Sequence, residues 1–505
     1  MRITWWALVG VLSSGCRTPD KHDHSAILAA VPTALDFGTV APGASAARTL
    51  VLSNKGADTI TLHDFVLDGT TAISSFGVPS TQSTAAFQIA KPGNLSLGRG
   101  ASLTVTITYA PTSEGSDSVR LLVLSDADND SSLAVSLTGK AALQRAPGTL
   151  ATAVAAGLNY SCAVTKAGGL KCWGYNGEGQ LGDGTKKSRG IPQNVSGLTA
   201  DVANVSAGDH GCAITTAGAV YCWGPGDNGQ LGNNSWAESD APVAVAGLSA
   251  GAQSVSAGLG HSCAITATGS AQCWGLNAAG GLGDNSQSNR PTPVDVVGLS
   301  NVAQISAGIY YTCAVTHSGA VKCWGAGSNG QLGNGGNNDS AVPVNVAGLA
   351  GPARAVSAGA FFLTGNEEST CALLQDGTVQ CWGSNSLGEL GNNNTDASLT
   401  PITVAGLAGV TSFSGSVDDK CAVASGNVFC WGSNSTGQLG DGTKNDRHVP
   451  TSVSALSGAT AVVTGGPHAC AIVGAGVVHC WGANGFGELG DGTQQTRMTP
   501  VEVQF

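Results

Sequence analysis

Charged side chains are scarce in this chain. Asp, Glu, Lys and Arg together make 11% of 505 residues, and the balance is acidic, with Lys+Arg 22 against Asp+Glu 33 and a net charge of −11. The densest basic spot is Lys186-Lys187 with Arg189. A surface that tracks phosphates needs clustered Lys and Arg, so nucleic acid is not an expected partner. After the N-terminal segment no stretch reaches the ~18 uninterrupted apolar residues of a membrane-spanning helix. Catalytic signatures are missing too: no Gly-rich phosphate loop opens a helix, Gly-Asp-Gly-Thr ends a β-type repeat instead, and neither a nucleophile elbow nor a His-Glu-x-x-His appears. The expectation is a protein that is not an enzyme, with no cofactor and no catalytic or metal centre.

What the chain does have is a repeated phrase. CAVTKAGGLKCWG at 162–174 returns as CAITTAGAVYCWG, CAITATGSAQCWG, CAVTHSGAVKCWG, CALLQDGTVQCWG, CAVASGNVFCWG and CAIVGAGVVHCWG, seven copies in all. The second cysteines recur at intervals of 50, 51, 50, 58, 49 and 50 residues. Such periods signal a solenoid, propeller or array. Each copy continues into a second phrase of the Gly-Gln-Leu-Gly type, as at 179–182.

Residues between the cysteines alternate, are β-branched or small, and carry Gly near the middle, which reads as a β-hairpin. Pairing inward from Cys162 and Cys172 leaves 166–168 as a three-residue loop with Gly168 where a left-handed conformation is needed. The sixth copy is one residue shorter, and there Cys421 opposite Cys430 leaves Ser425-Gly426 as a two-residue loop. Opposition of the cysteines is preserved, not their spacing. Counting outward puts each pair at a non-hydrogen-bonded site, where Cα atoms lie ~4.5 Å apart, within disulfide reach. The pattern favours seven links, Cys162–Cys172, Cys212–Cys222, Cys263–Cys273, Cys313–Cys323, Cys371–Cys381, Cys421–Cys430 and Cys470–Cys480, with buried free thiols as the alternative. A zinc site, which wants four ligands at short spacing, fits poorly.

The fifteenth cysteine is Cys16. It closes MRITWWALVGVLSSGC, in which Arg2 is the charged start, residues 3–12 the apolar run and Ser13-Ser14-Gly15 a small-residue end, the form of a secretory signal. Its Leu-Ser-Ser-Gly-Cys ending resembles a bacterial lipoprotein signal, although Ser13 stands where an aliphatic residue is usual. The resemblance implies that Cys16 is the acylated first mature residue, so that membrane contact is through an N-terminal lipid anchor alone. The expected location is the bacterial cell envelope, otherwise the periplasm or medium. Export also supplies the oxidising compartment that disulfides require.

Between a signal at 1–16, a polar linker at 17–29 and the repeats from 144 lies a different language. Residues 30–143 hold about seven short strands, nearly strictly alternating at 102–109, which argues for a β-sandwich. LDFGTVAPG, LSNKGADTITL, TYAPTSEG and VSLTGKA resemble the immunoglobulin-like domain of the ASPM/Hydin type, implying a spacer or protein-binding module. Asp126, Asp128 and Asp130 alternate as in a calcium loop, but the Gly and distal Glu of such a loop are missing, and a solvated hairpin turn is expected.

The repeats, with x-x-Gly-x-x-[His/Tyr]-x-Cys-Ala, Cys-Trp-Gly-x-Asn and Gly-Gln-Leu-Gly, resemble the regulator of chromosome condensation repeat family. The resemblance covers roughly 150–505 and implies a seven-bladed β-propeller at 144–505, one blade per repeat, so the whole chain is expected to be all-β. It does not bring nucleotide exchange on a nuclear GTPase, which needs a particular loop wedge and an intracellular partner. Other members are protein-binding platforms, among them a secreted bacterial propeller that inhibits β-lactamases. A monomeric scaffold for an unidentified protein partner is the expected function, with an enzyme inhibitor as the alternative.

Within that frame the tryptophans one after each second cysteine, Trp173 to Trp481, point away from the cysteine face and are expected between blades. Residues two before the first cysteine, Tyr160, His210, His261, Tyr311, Ser369, Asp419 and His468, form a ring with structural hydrogen bonding as the expected role. The first repeat opens with Val154 and the last ends at Phe505, and these ends are expected to meet and close the ring. Departures from the repeat carry recognition, since loops on a rigid scaffold do so. The largest is 360–370, eight residues longer than its counterparts and rich in aromatic and acidic residues. With Ile309-Tyr310-Tyr311 one blade earlier, it makes Tyr310, Tyr311, Phe361 and Phe362 the candidate partner-binding residues, with Glu367 and Glu368 at the rim. Trp236 lies on a different loop.

Overall fold

The computed structural model describes residues 25–41, 43–68, 86–90, 92, 95–112, 115–141, 149–359 and 368–505. The chain divides into two units, residues 1–145 and 146–505. Every regular element described is a strand. None of the described residues forms a helix long and apolar enough to cross a membrane.

The first unit has nine strands: β1 (Leu28–Val31), β2 (Ala34–Val40), β3 (Ala46–Asn54), β4 (Ile60–Asp68), β5 (Phe87–Ile89), β6 (Ser96–Leu97), β7 (Ser102–Tyr109), β8 (Gly115–Ser125) and β9 (Ser132–Ala141). They form two sheets, ordered β1-β3-β7-β5 and β2-β9-β8-β4-β6. Alternate positions of each sheet, such as Leu50, Leu52, Val105 and Ile107 against Leu121, Val123, Val135 and Leu137, meet in one core. Period-2 alternation places these on the inner face of a sandwich. The expected linker ends earlier than read from sequence: Leu28 and Ala29 belong to β1, paired with Asn54 and Ser53. The acidic turn between β8 and β9 is a backbone clasp: Asp126 accepts the Thr61 N–H, Asp128 that of Ala26 and Asp130 that of Ser132.

The second unit is seven four-stranded antiparallel sheets, each from contiguous sequence. Blade 1 consists of β10 (Ala151–Ala156), β11 (Tyr160–Thr165), β12 (Leu170–Gly174) and β13 (Arg189–Asn194). We call the four strands of each blade a to d, a being innermost. Each a strand touches those of both neighbouring blades, and the a strand of blade 7, Ala459–Thr464, touches β10, so the ring closes. The first and last blades of this unit meet at this seam: Ala151 N–H donates to the Gly476 carbonyl, and the Phe505 ring lies 5.9 Å from that of Trp173.

The b–c hairpins match the sequence reading. Gly168, Gly218, Gly269, Gly319, Gly377 and Gly476 all have positive φ, and in the shortened sixth hairpin Ser425 and Gly426, at φ 50° and 75°, form a two-residue turn of the kind that fits strand twist. All seven cysteine pairs are directly opposed and bonded, with Cα separations of 4.0 to 4.2 Å.

Packing between blades explains why the two repeated phrases travel together. Each repeat tryptophan is fully buried in the core of the preceding blade, as Trp223 is among Cys162, Cys172, Leu181 and Val195. Its indole N–H donates to the carbonyl of the residue before the Leu of the preceding Gly-Gln-Leu-Gly phrase: Trp223 to Gln180 at 2.7 Å, Trp274 to Gln230 at 2.8 Å and, across the closing seam, Trp173 to Glu488 at 2.9 Å. A buried indole needs that partner. The second Gly of the phrase is required for the same contact, since a Cβ on Gly182 would lie 2.9 Å from the Trp223 ring and its φ is +62°.

Candidate functional site

Antiparallel order places the a–b and c–d connections of every blade on one end of the ring and the hairpins on the other. The ring of residues two before the first cysteine sits under the a–b loops and is buried. His468 Nε2 lies 2.8 Å from Ser161 Oγ of the next blade, His210 Nε2 2.5 Å from Ser262 Oγ, and His261 Nε2 2.8 Å from Thr312 Oγ1. The hydroxyls of Ser161, Ser262 and Thr312 in turn donate to the carbonyls of Glu488, Gln230 and Gly281. These are seam bonds, and burial pushes the imidazoles down, to about 3 for His210 and His468 and about 4 for His261. Among the described residues no group of His, Cys, Asp and Glu is arranged to hold a metal ion.

Tyr311 belongs to this buried set, which corrects its reading as a partner-binding residue. It is fully buried, and its hydroxyl is hydrogen-bonded to Gly359 N–H, the Ser369 carbonyl and the Thr370 hydroxyl. Glu368 is not at a rim either. It is 2% exposed, bonded to Gln331 Nε2 at 2.7 Å, and burial raises its pKa to about 7. Phe361, Phe362 and Glu367 lie outside the described residues. Tyr310, next in sequence to Tyr311, lies at the bend before the strand that begins at Tyr311 and stays half-buried on the loop face.

Blade 6 departs from the seam pattern, with charged Asp419 and Lys420 where every other blade carries uncharged residues such as His261-Ser262 and Tyr311-Thr312. Lys420 is fully buried, and its Nζ donates to the carbonyls of Ser416 and Val417. Desolvation holds its pKa down and that of Asp419 up.

The c–d loops share another device that spacing alone did not reveal. In blade 1 the Asn176 amide donates to the carbonyls of Thr185 and Lys187, and its Oδ1 accepts Leu181 N–H. Asn277, Asn385, Asn434 and Asn484 do the same in blades 3, 5, 6 and 7. Blades 2 and 4 carry Gly226 and Gly327 instead. A Cβ on Gly226 would lie 2.1 Å from the Ala237 carbonyl, so only Gly lets the 236–238 segment fold onto the start of its loop.

That segment bounds a cavity of about 600 Å³ on the loop face of blades 1 to 4. Asp209, Leu259-Gly260 and Tyr310 reach it from a–b loops, and Glu178, residues 225–228, Trp236, Glu238 and Leu276 from c–d loops. Trp236 is 50% exposed, whereas the repeat tryptophans are fully buried. Among the described residues no Lys, Arg or His lines the cavity. Burial and the nearby Glu178 and Asp227 carboxylates raise the Asp209 pKa to about 6. Sequence reasoning singled out Trp236 and Tyr310 on separate loops, and the fold brings them to one cavity. The signal that would have led there is the Pro225-Gly226 that replaces x-Asn after the second Cys-Trp-Gly.

Closed seven-blade geometry with an open loop face defines a propeller of the repeat-scaffold class. Regulator of chromosome condensation (RCC1) repeats match residues 168–214, 217–265, 269–315, 318–364, 425–472 and 475–505, and a second form of the same repeat matches 151–180, 202–230, 252–280, 302–331 and 353–389. The chain belongs to the RCC1 repeat family. Human WBSCR16 shares the fold at 22% identity, over 68% of this chain and 91% of that one, with a TM-score of 0.58. Yeast RCC1 (Prp20), crystallised bound to Kap60, does so at 19% identity over 71% and 85%, TM-score 0.57. Prp20p from Saccharomyces cerevisiae, in a study of its binding to Gsp1p and histones, aligns at 18% identity over 71% and 87%, TM-score 0.58.

Proposed function

We propose that this protein is an exported, lipid-anchored component of a bacterial cell envelope whose propeller binds another protein and carries out no catalysis. The observation that carries the binding role is Trp236: a half-exposed indole, on a loop that breaks the repeat, over a cavity of about 600 Å³. Exposed aromatic rings beside a pocket are where binding energy concentrates. RCC1 propellers of yeast that engage Kap60, Gsp1p and histones support a protein as the class of partner. Seven disulfides favour an oxidising compartment, and the signal-like segment ending at Cys16 supplies the route and the anchor. The sandwich, in keeping with its immunoglobulin-like phrases, acts as a spacer.

A photo-crosslinking residue at position 310, placed in the full chain in its native envelope, tests the binding role. A discrete protein adduct that disappears with Trp236→Ala is the expected result. If that adduct is a hydrolase whose activity the propeller suppresses, the protein is an enzyme inhibitor. The absence of any adduct at this face removes the scaffold reading.

A further inference from the structure

The loop-face cavity concentrates one sign of charge. Glu178, Asp209, Asp227 and Glu238 all line it; Lys186 pairs with Glu238 and leaves the other three without an ion-pair partner among the described residues. Among the described residues the Asp209 carboxylate has no hydrogen-bond partner, and what acts on it is burial and the repulsion of Glu178 and Asp227. Behind it the Tyr160 phenol is 1% exposed and, among the described residues, its hydroxyl meets no side-chain partner, because Gly211 stands where the blade next to Tyr311 offers Thr370. Tyr311, in the equivalent place of blade 4, has three. Like charges held together around the half-buried Asp209 carboxylate repel one another, and a cation relieves that repulsion. Two aromatic rings, Trp236 and Tyr310, share the wall, and an aromatic face attracts a guanidinium or ammonium group.

We propose that this cavity receives an arginine or lysine side chain presented by the protein partner, held between the Trp236 and Tyr310 rings and the carboxylates of Asp209, Glu178 and Asp227. The inference rests on the protein-binding reading and adds the chemistry of what is bound. Charge complementarity identifies the occupant: the lining offers acceptors and π faces and no cationic side chain, which disfavours an acidic or phosphorylated ligand.

The test uses the full chain and a nonapeptide with a central Arg among Gly and Ser residues, followed by Trp236 emission and calorimetry. Saturable binding is expected for the Arg peptide and its Lys counterpart, with at least a tenfold loss when the central residue is citrulline. A loss of tenfold or more is also expected in Trp236→Ala and in Glu178→Gln with Asp227→Asn, all exposed positions whose thermal midpoint stays unchanged. Trp236→Phe, which keeps a ring, retains most of the affinity. Equal binding of the citrulline peptide overturns the proposal, as does agmatine binding as tightly as the Arg peptide, which would make this a small-cation site. A partner crosslinked at position 310 with the same yield in the Glu178→Gln, Asp227→Asn protein keeps the scaffold role and refutes the cationic contact. Peptide binding with no crosslinked protein refutes the scaffold role and leaves the chemistry of the cavity standing.

Discussion

Replacing His468 by Gln removes one buried imidazole from the seam that closes the ring. Ser161 Oγ donates to the Glu488 carbonyl at 3.0 Å, so the 2.8 Å contact with His468 Nε2 requires the imidazole N–H to sit on Nε2 and to donate to Ser161. Nδ1 is then a bare acceptor, buried and without a partner. Protonating the ring would place a charge and an unpaired N–H there, and burial accordingly lowers the His468 pKa to about 3. In the unfolded chain the ring titrates at about 6.5. Below that pH the unfolded state binds a proton that the folded state refuses, so this residue's contribution to stability falls as pH falls, by ~1.4 kcal/mol per unit. Between pH 7.5 and pH 5 the cumulative loss is ~2 kcal/mol, with most of it below pH 6.5. At pH 7.5 the variant should be weaker by ~1 kcal/mol for the lost hydrogen bond, and at pH 5 the deficit should vanish or reverse. Denaturant midpoints of both proteins at pH 5, 6 and 7.5, under non-reducing conditions, measure this. The comparison must be a difference between the two proteins. Glu368, Glu389 and Asp419, which burial raises to about 7, penalise the folded state at neutral pH and relieve it on acidification, opposing His210 and His261. A deficit independent of pH would refute the buried neutral imidazole.

Non-reducing mass mapping of protein from an oxidising compartment should find the seven intra-blade links and no others, and Cys→Ala pairs should each lose about 3 kcal/mol, the chain-entropy value for loops of ten residues; free thiols in most blades would refute this. Cys16→Ser should move the protein from the membrane to the soluble fraction, since stable anchoring takes a diacyl signal, and unchanged fractionation would remove the anchor. Lys420→Met should lower stability by about 3 kcal/mol by leaving the buried Glu389 and Asp419 carboxylates without their cation and two carbonyls without a donor, read from denaturant midpoints; an unchanged midpoint would mean that the ammonium contributes nothing to the seam between blades 5 and 6.

The propeller was legible because its constraints recur with the chain. A hairpin that must keep two cysteines opposed shows itself when one copy is shortened, as at Ser425-Gly426, and seven copies of Cys-Trp-Gly separate pattern from accident. Direction was legible too: Trp173 and its counterparts follow the cysteine by one and face the other way. What stayed hidden were contacts between residues far apart in sequence. That the Trp223 N–H meets the Gln180 carbonyl, 43 residues back, depends on how neighbouring blades pack, and that His468 reaches Ser161 across 307 residues depends on ring closure; no local spacing encodes either partner. Tyr311 holds two places in the sequence, the ring position two before Cys313 and one end of an aromatic run, and it is the ring position, at the start of a strand, that decides its burial.

The cavity follows from the same logic in reverse. In five of the seven blades an Asn side chain locks the c–d loop by bridging its two ends. Gly226 gives up that lock, admits the Ala237 carbonyl into the space a side chain would take, and thereby folds Trp236 and Glu238 over the face. Gly211 in the same blade withholds a hydroxyl from Tyr160. Two departures from the repeat, each weakening blade 2 as a structural unit, fall beside the same concentration of carboxylates and rings. Substituting Asn for Gly226 separates structure from function there. A restored lock should displace Trp236 and reduce peptide binding while leaving the seven disulfides intact, and a variant that binds as before would show that the loop's departure from the repeat does not shape the site.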